Sequence, residues 1–139
     1  MSDAFVVDAS VGFSWVYPGQ SSEETDLLLE RIESGATVVV PSLWLLEVAN
    51  SLLTAERRKL VRTAERMTAL EKLSAMTFTV DEEAGRNAFG AISELASRHG
   101  LSVYDATYLE TALRRNLPLC SRDGTLRKAA KKAGVKAAC

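Results

Sequence analysis

Four short apolar runs, separated by stretches long enough for helices, limit what this chain can become. They are Phe5-Val-Val-Asp8, Thr37-Val-Val-Val40, Met76-Thr-Phe-Thr-Val80 and Leu117-Pro-Leu-Cys-Ser121. Apolar residues at consecutive positions mark strands buried on both faces, as in parallel sheets covered by helices. Helical spacing and stop signals fill the intervals. They predict helices from Ala9 to near Tyr17-Pro18-Gly19, over 21–34, from a Ser42 cap to about Arg58, and over 63–75. Three more follow: from an Asp81 cap to near Gly100, from a Ser102 cap into the fourth run, and over 125–133. Val135-Lys-Ala-Ala138 reads as a short edge strand. There is no hairpin signal, internal repeat or linker-like stretch. This order predicts one domain over 1–139: a three-layer α/β/α sandwich with a mainly parallel, four- or five-stranded sheet.

In such a sheet ligands bind beyond the carboxyl ends of the strands, where strand order reverses. Asp8 ends the first run, and Asp123 follows the last. Asp105 opens the helix that leads into that last run, projecting toward its core side with Ala106, Leu109, Ala112 and Leu113. Thr107, Glu110, Thr111, Arg114 and Arg115 fall on the opposite face, expected to be solvated. Glu47 is the sole charged residue between Glu33 and Glu56, in a helix apolar nearly all round and so expected to be buried. An unpaired buried carboxylate costs several kcal/mol by typical estimates, so Glu47 needs a cation, a proton or water.

Taken singly, each acid has an ordinary use. Asp8 and Asp123 can be helix N-caps, Asp105 a capping-box acid, and Glu47 a protonated or ion-paired core residue. Taken together, four carboxylates at one sheet edge repel one another, and hard divalent cations such as Mg²⁺ or Mn²⁺ remove that repulsion. Ser121, Ser10 and Asn50 are candidate contacts to substrate or water, or simply inward polar groups. Trp15, Tyr17 and Trp44 fit core or interface positions better than nucleobase stacking.

Composition narrows the classes. At 47% hydrophobic and 25% charged residues, the chain has enough apolar surface for a core, which argues against disorder. No run approaches the roughly 20 apolar residues of a membrane helix, and no basic-then-apolar leader opens the chain, so a cytoplasmic location is expected. Cys120 and Cys139 give no sign of a disulfide framework or thiolate metal site. His99, the single histidine, stands beside Gly100 at a helix end, a capping position rather than a catalytic one. The net charge of −1 conceals a basic C-terminal segment. Arg114, Arg115, Arg122, Arg127, Lys128, Lys131, Lys132 and Lys136 accompany Asp123 as its single acid. Such a segment can follow a phosphate backbone, or simply solvate helix ends.

Phe5-Val-Val-Asp-Ala-Ser10, Pro41-Ser-Leu-Trp-Leu-Leu-Glu-Val-Ala-Asn50, Leu101-Ser-Val-Tyr-Asp-Ala-Thr-Tyr-Leu109 and Leu119-Cys-Ser-Arg-Asp-Gly-Thr-Leu126 resemble the four signature segments of PIN-domain ribonucleases, in the same order. The size resembles VapC-type toxins of prokaryotic toxin–antitoxin pairs. The resemblance implies that Asp8, Glu47, Asp105 and Asp123 are catalytic, metal-binding acids, with Ser121 where the family often has threonine. Some members carry a further acid after the last one; here Gly124, Thr125 and Leu126 follow. It further implies an Mg²⁺- or Mn²⁺-dependent endoribonuclease for single-stranded or looped RNA, a homodimer, and an antitoxin seated in an apolar groove beside Trp15 and Trp44. Arg114, Arg115, Arg122, Arg127 and Lys128 are the expected contacts to the RNA backbone. The competing class is a non-catalytic α/β module, either an inactive PIN scaffold or a receiver-like domain. A receiver would want adjacent acids after strand one, where this chain has Asp8-Ala-Ser10. A dinucleotide enzyme would want a glycine-rich loop that is missing.

Overall fold

The computed structural model describes residues 3–139, apart from the side chain of Pro18. Its elements follow the order β1 (Ala4–Val7), α1 (Ala9–Val16), α2 (Glu23–Glu33), β2 (Thr37–Pro41), α3 (Ser42–Arg57), α4 (Thr63–Ala75), β3 (Thr79–Asp81), α5 (Ser93–His99), α6 (Val103–Arg115), β4 (Leu119–Cys120) and α7 (Gly124–Lys132). The sheet is four-stranded and wholly parallel, in the order β3-β2-β1-β4. Phe5, Val6 and Val7 are inaccessible to solvent, as are Val38, Val40 and Cys120. This is the two-sided burial that the consecutive apolar runs required. Each Val, Leu or Phe so buried stabilises the fold by roughly 1.5–3 kcal/mol.

Successive crossovers from β1 to β2 and from β2 to β3 step one way along the sheet, and the chain then returns past both to form β4. With right-handed crossovers, α1 to α4 cover one face and the later helices the other. Packing agrees: α1 meets α2, α3 and α4, while α6 lies on β1 and β2 and meets α5 and α7. Strand order therefore reverses between β1 and β4. Asp8 and Asp123 lie just beyond the ends of these two strands. Gly12 lets α1 and α3 approach closely, since a Cβ there would stand 2.4 Å from Trp44 Cζ2.

Several expectations need correction. The third strand is Thr79–Asp81, shorter and later than the run 76–80; Phe78 instead packs its ring 4.7 Å from Trp44. No single helix joins Asp81 to Gly100. A 3₁₀ turn (Ala84–Asn87) and a π turn (Ala88–Ile92) precede α5. Gly85 and Gly90 weaken helical propensity there, and Asn87 donates a hydrogen bond to Glu110 Oε1 on α6. Asp81 does cap the 3₁₀ turn, accepting from the Glu83 and Ala84 amides. Ser42 is the first residue of α3, not its cap.

The outer face of α6 is not solvated. Thr107, Glu110 and Thr111 are buried because α5 and the π turn cover them. The two hydroxyls donate to carbonyls one turn back, and Glu110 accepts from Arg114 at 2.7 Å. Arg114 also grips the fully buried Asp81 with two hydrogen bonds, joined by Arg115 at 2.5 Å. Nor is α3 buried all round. Leu45 and Leu46 are exposed, and Glu47 is only half-buried.

The cysteines also depart from expectation. Cys120 and Cys139 form a disulfide, their Cα atoms 5.2 Å apart. The fold brings them together because the C-terminal segment runs parallel to β4. Leu119 bridges Ala137, and its amide and carbonyl pair with Lys136 and Ala138. Nineteen residues of sequence separation hid that register.

Candidate active site

Asp8 sits where β1 passes into α1, and it is 4% exposed. Its Oδ1 accepts from the Ser10 hydroxyl at 2.6 Å and from the Val11 amide, making it the N-cap of α1. Its Oδ2 accepts from Ser121 Oγ at 2.5 Å, across from the end of β4. The two serines are themselves anchored. Ser10 Oγ accepts from the Arg122 amide and Ser121 Oγ from the Asp123 amide. The Trp44 indole donates to the Asp8 carbonyl at 2.9 Å, tying α3 to the same corner. A carboxylate oxygen has about two lone-pair sites, so Oδ1 is filled and Oδ2 retains one.

Asp123 caps α7 through the Thr125 amide. Asp105 enters from the first turn of α6, its own amide donating to the Ser102 cap. Burial holds the Asp8 carboxyl above its ordinary range; the Ser10, Ser121 and Val11 bonds pull it down, and Asp123 adds to the rise. Burial also raises Asp105, reinforced by the charges of Asp123 and Asp8. The three aspartates therefore act on one another, the repulsion expected of acids converging at the strand-order reversal.

Glu47 joins them through a residue that the sequence left unnoticed. Tyr108, one turn after Asp105 on α6, is 1% exposed and donates its hydroxyl to Glu47 Oε1 at 2.5 Å. Burial raises the phenol far above its usual range, and the Glu47, Asp8 and Asp105 charges push the same way. Tyr108 thus lies within the field of three of the acids. The available signal was the three-residue spacing from Asp105, which puts both on one helix face.

Among the described residues, none of the four acids is held in an ion pair. Nor do any three Asp, Glu, His or Cys side chains draw together tightly enough to cage a metal ion unaided. Mg²⁺ needs no such cage: it binds through one or two carboxylates, keeps waters and accepts substrate phosphates. An all-oxygen donor set, with Asp8 and Asp105 destabilised as charged groups, fits a cation of that kind.

The other candidates divide. Ser10 and Ser121 orient Asp8, whereas Asn50 stays exposed on α3. Arg114 and Arg115 do not follow the basic segment, being engaged by Asp81. Arg122 is exposed and donates to the Gln20 carbonyl. Arg127 and Lys128, with Lys131 and Lys136, line a groove of about 690 Å³ that reaches Ser121 and Gly124.

Known proteins resemble this chain in sequence and in fold. Ribonuclease VapC3 of Pyrobaculum aerophilum is 33% identical over 111 residues, covering 77% of this chain and 79% of its own. The crystal structure of PAE2754 from the same organism matches with a TM-score of 0.67 at 24% identity, over 93% of this chain and 87% of that one. FitAcB from Neisseria gonorrhoeae matches at 0.65 and 19%, over 96% and 95% of the two chains. VapBC2 from Rickettsia felis, solved bound to a DNA fragment from its promoter, matches at 0.66 and 11%, over 91% and 92%. At these identities the solved structures speak to the fold alone. The PIN domain model matches residues 5–132, and with that span and the VapC3 likeness the chain belongs to the PIN domain family.

Proposed function

We propose that this chain is a single-domain, Mg²⁺- or Mn²⁺-dependent endoribonuclease, acting as the toxin of a toxin–antitoxin pair on single-stranded or looped RNA. The observation that carries the reading is geometric: the nearly buried Asp8, clamped by Ser10 and Ser121 at the reversal of strand order, lies close enough to Asp105 and Asp123 for their charges to act on one another, and among the described residues no cation pairs with them. A structural cap gains nothing from two acidic neighbours, whereas a cation site does. Asp8 and Asp105 hold the ion; Glu47 and Asp123 complete the acidic cluster. A divalent cation held by these residues would neutralise the acids and would supply the activation of a water toward a phosphodiester, the chemistry that gives a 3′-hydroxyl and a 5′-phosphate.

The chain's own groups do the rest. Ser10 and Ser121 fix the plane of the Asp8 carboxylate, so that the open lone pair on Oδ2 has one orientation. Arg127 and Lys128 hold the RNA backbone along the groove that opens beside Ser121. The relatives support the toxin role: one is named a ribonuclease, and another similar structure is a toxin–antitoxin complex from Klebsiella pneumoniae. An antitoxin segment fits the groove of about 310 Å³ between α3 and α4, lined by Trp44, Val48, Leu70, Leu73, Met76 and Phe78; Trp15, also expected beside the antitoxin, does not line it and donates its indole to the Thr25 carbonyl. A homodimer completes the reading.

The test is cleavage of a labelled single-stranded RNA in Mg²⁺, with EDTA and Asp8→Asn controls. Cleavage that disappears in both controls supports the proposal. Activity persisting in EDTA, or equal activity in Asp8→Asn, overturns it.

A further inference from the structure

Of the four acids, Glu47 has the longest side chain and stands on α3, in the layer opposite α6. Asp8 is clamped by two serine hydroxyls and an amide, and Asp123 by the Thr125 amide. Asp105 has a short side chain at a helix start. A glutamate has one more rotatable bond than an aspartate, so a half-exposed Glu47 would sample several positions unless something held it. The Tyr108 hydroxyl is the group that meets it, at 2.5 Å. The phenol ring is packed in the core with 1% exposure, so its hydroxyl is a donor fixed in space. It joins α6, which carries Asp105, to α3 across 61 residues of sequence.

We propose that Tyr108 is a positioning residue for the metal centre, occupying Glu47 Oε1 so that Oε2 is the oxygen presented to the cation or its water. This rests on the metal-dependent reading above. Tyr108 touches neither substrate nor ion; it acts through Glu47. A buried tyrosine hydroxyl needs a partner, but a purely structural bond would be satisfied by any acceptor. Here the acceptor is one of the four acids, and Asp105 lies one turn away on the same face.

The experiment is Mn²⁺ binding to the full chain without RNA, followed by the electron paramagnetic resonance of free Mn²⁺, for wild type, Tyr108→Phe, Glu47→Ala and the double variant. Loss of a partner that orients a metal-site group lowers affinity about 10–100-fold, and Tyr108→Phe is expected in that range. In the Glu47→Ala background the same substitution is expected to change Mn²⁺ affinity less than twofold, because nothing is left to position. Saturating Mn²⁺ is expected to restore RNA cleavage in Tyr108→Phe, which a packing defect would not allow. Wild-type affinity in Tyr108→Phe, equal losses in both backgrounds, or an unfolded Tyr108→Phe protein each overturns the inference. In those cases wild-type cleavage in Mg²⁺ leaves the nuclease reading standing. A wild-type chain that takes up no Mn²⁺ overturns the metal site itself and this inference with it.

Discussion

Ser121 Oγ donates to Asp8 Oδ2 at 2.5 Å, joining residues 113 positions apart where β4 and β1 end. The bond closes the gap at which strand order reverses, and the Asp123 amide secures it from behind. Hydrogen bonds to charged groups contribute about 1.5–3 kcal/mol. Ser121→Ala is expected to lower stability within that range and to weaken Mn²⁺ binding; Ser121→Thr, which keeps the donor, is expected to preserve Mn²⁺ binding. Urea denaturation and Mn²⁺ titration of both variants check this.

Asp105 has a carboxyl raised by burial and by its acidic neighbours. A raised folded-state value favours the fold below the unfolded carboxyl's range, and that advantage is lost as pH rises through the folded value. Asp105→Asn is therefore expected to be more stable than wild type in EDTA at neutral pH. The difference should vanish below about pH 4, where model carboxyls protonate. Adding Mn²⁺ should raise the melting temperature of wild type and leave the variant nearly unmoved. Thermal scans at several pH values, with and without the ion, measure each part.

Asp81 is the opposite case. It is fully buried, and Arg114 and Arg115 hold its carboxyl well below the ordinary range, against the cost of burial. Its contribution is present above the unfolded carboxyl's range and lost as pH falls through the folded value. Removing one partner of a buried pair costs roughly 3–5 kcal/mol, with the low end expected here because both guanidiniums stay partly solvated. Asp81→Asn should show that deficit at pH 7 and a smaller one as pH drops below about 4. Guanidinium-induced unfolding across pH tests it.

Gly12 and Trp44 pack α1 against α3. In a free helix, Gly→Ala gains about 0.5–1 kcal/mol. Here the added Cβ would stand 2.4 Å from Trp44 Cζ2 and 2.9 Å from Val48 Cγ2. Overpacking costs about 1–3 kcal/mol, so the clash wins and Gly12→Ala is expected to destabilise. It should also disturb the Trp44 bond to the Asp8 carbonyl. Indole fluorescence with a denaturant midpoint reads both effects.

The Cys120–Cys139 bond pins the tail to β4. Cross-links of this kind are typically worth 2–4 kcal/mol. Cys139→Ser, or reduction with a dithiol, is expected to lower stability in that range and to expose the last residues to carboxypeptidase. Mass spectrometry after timed digestion reports the second effect.

What the sequence determined by itself was the layer order and the sheet edge to which Asp8 and Asp123 belong. Short runs of consecutive, mostly β-branched apolar residues at Phe5–Val7 and Val38–Val40, bounded by Asp8 and Pro41, mark strands covered on both faces, and that pattern is local. The alternation with helices then set a parallel sheet, and with it the edge at which Asp8 and Asp123 fall. Tertiary structure alone decided the pairings. Glu110, Thr107 and Thr111 looked solvated because their periodicity is that of an amphipathic helix, yet α5 covers them. Arg114 and Arg115 looked available to RNA because helix spacing does not reveal an Asp81 more than 30 residues away. The Tyr108–Glu47 and Cys120–Cys139 pairings were silent for the same reason. Hydrogen bonds and disulfides depend on distances of a few ångströms between segments remote in the chain, and periodicity carries no information about those.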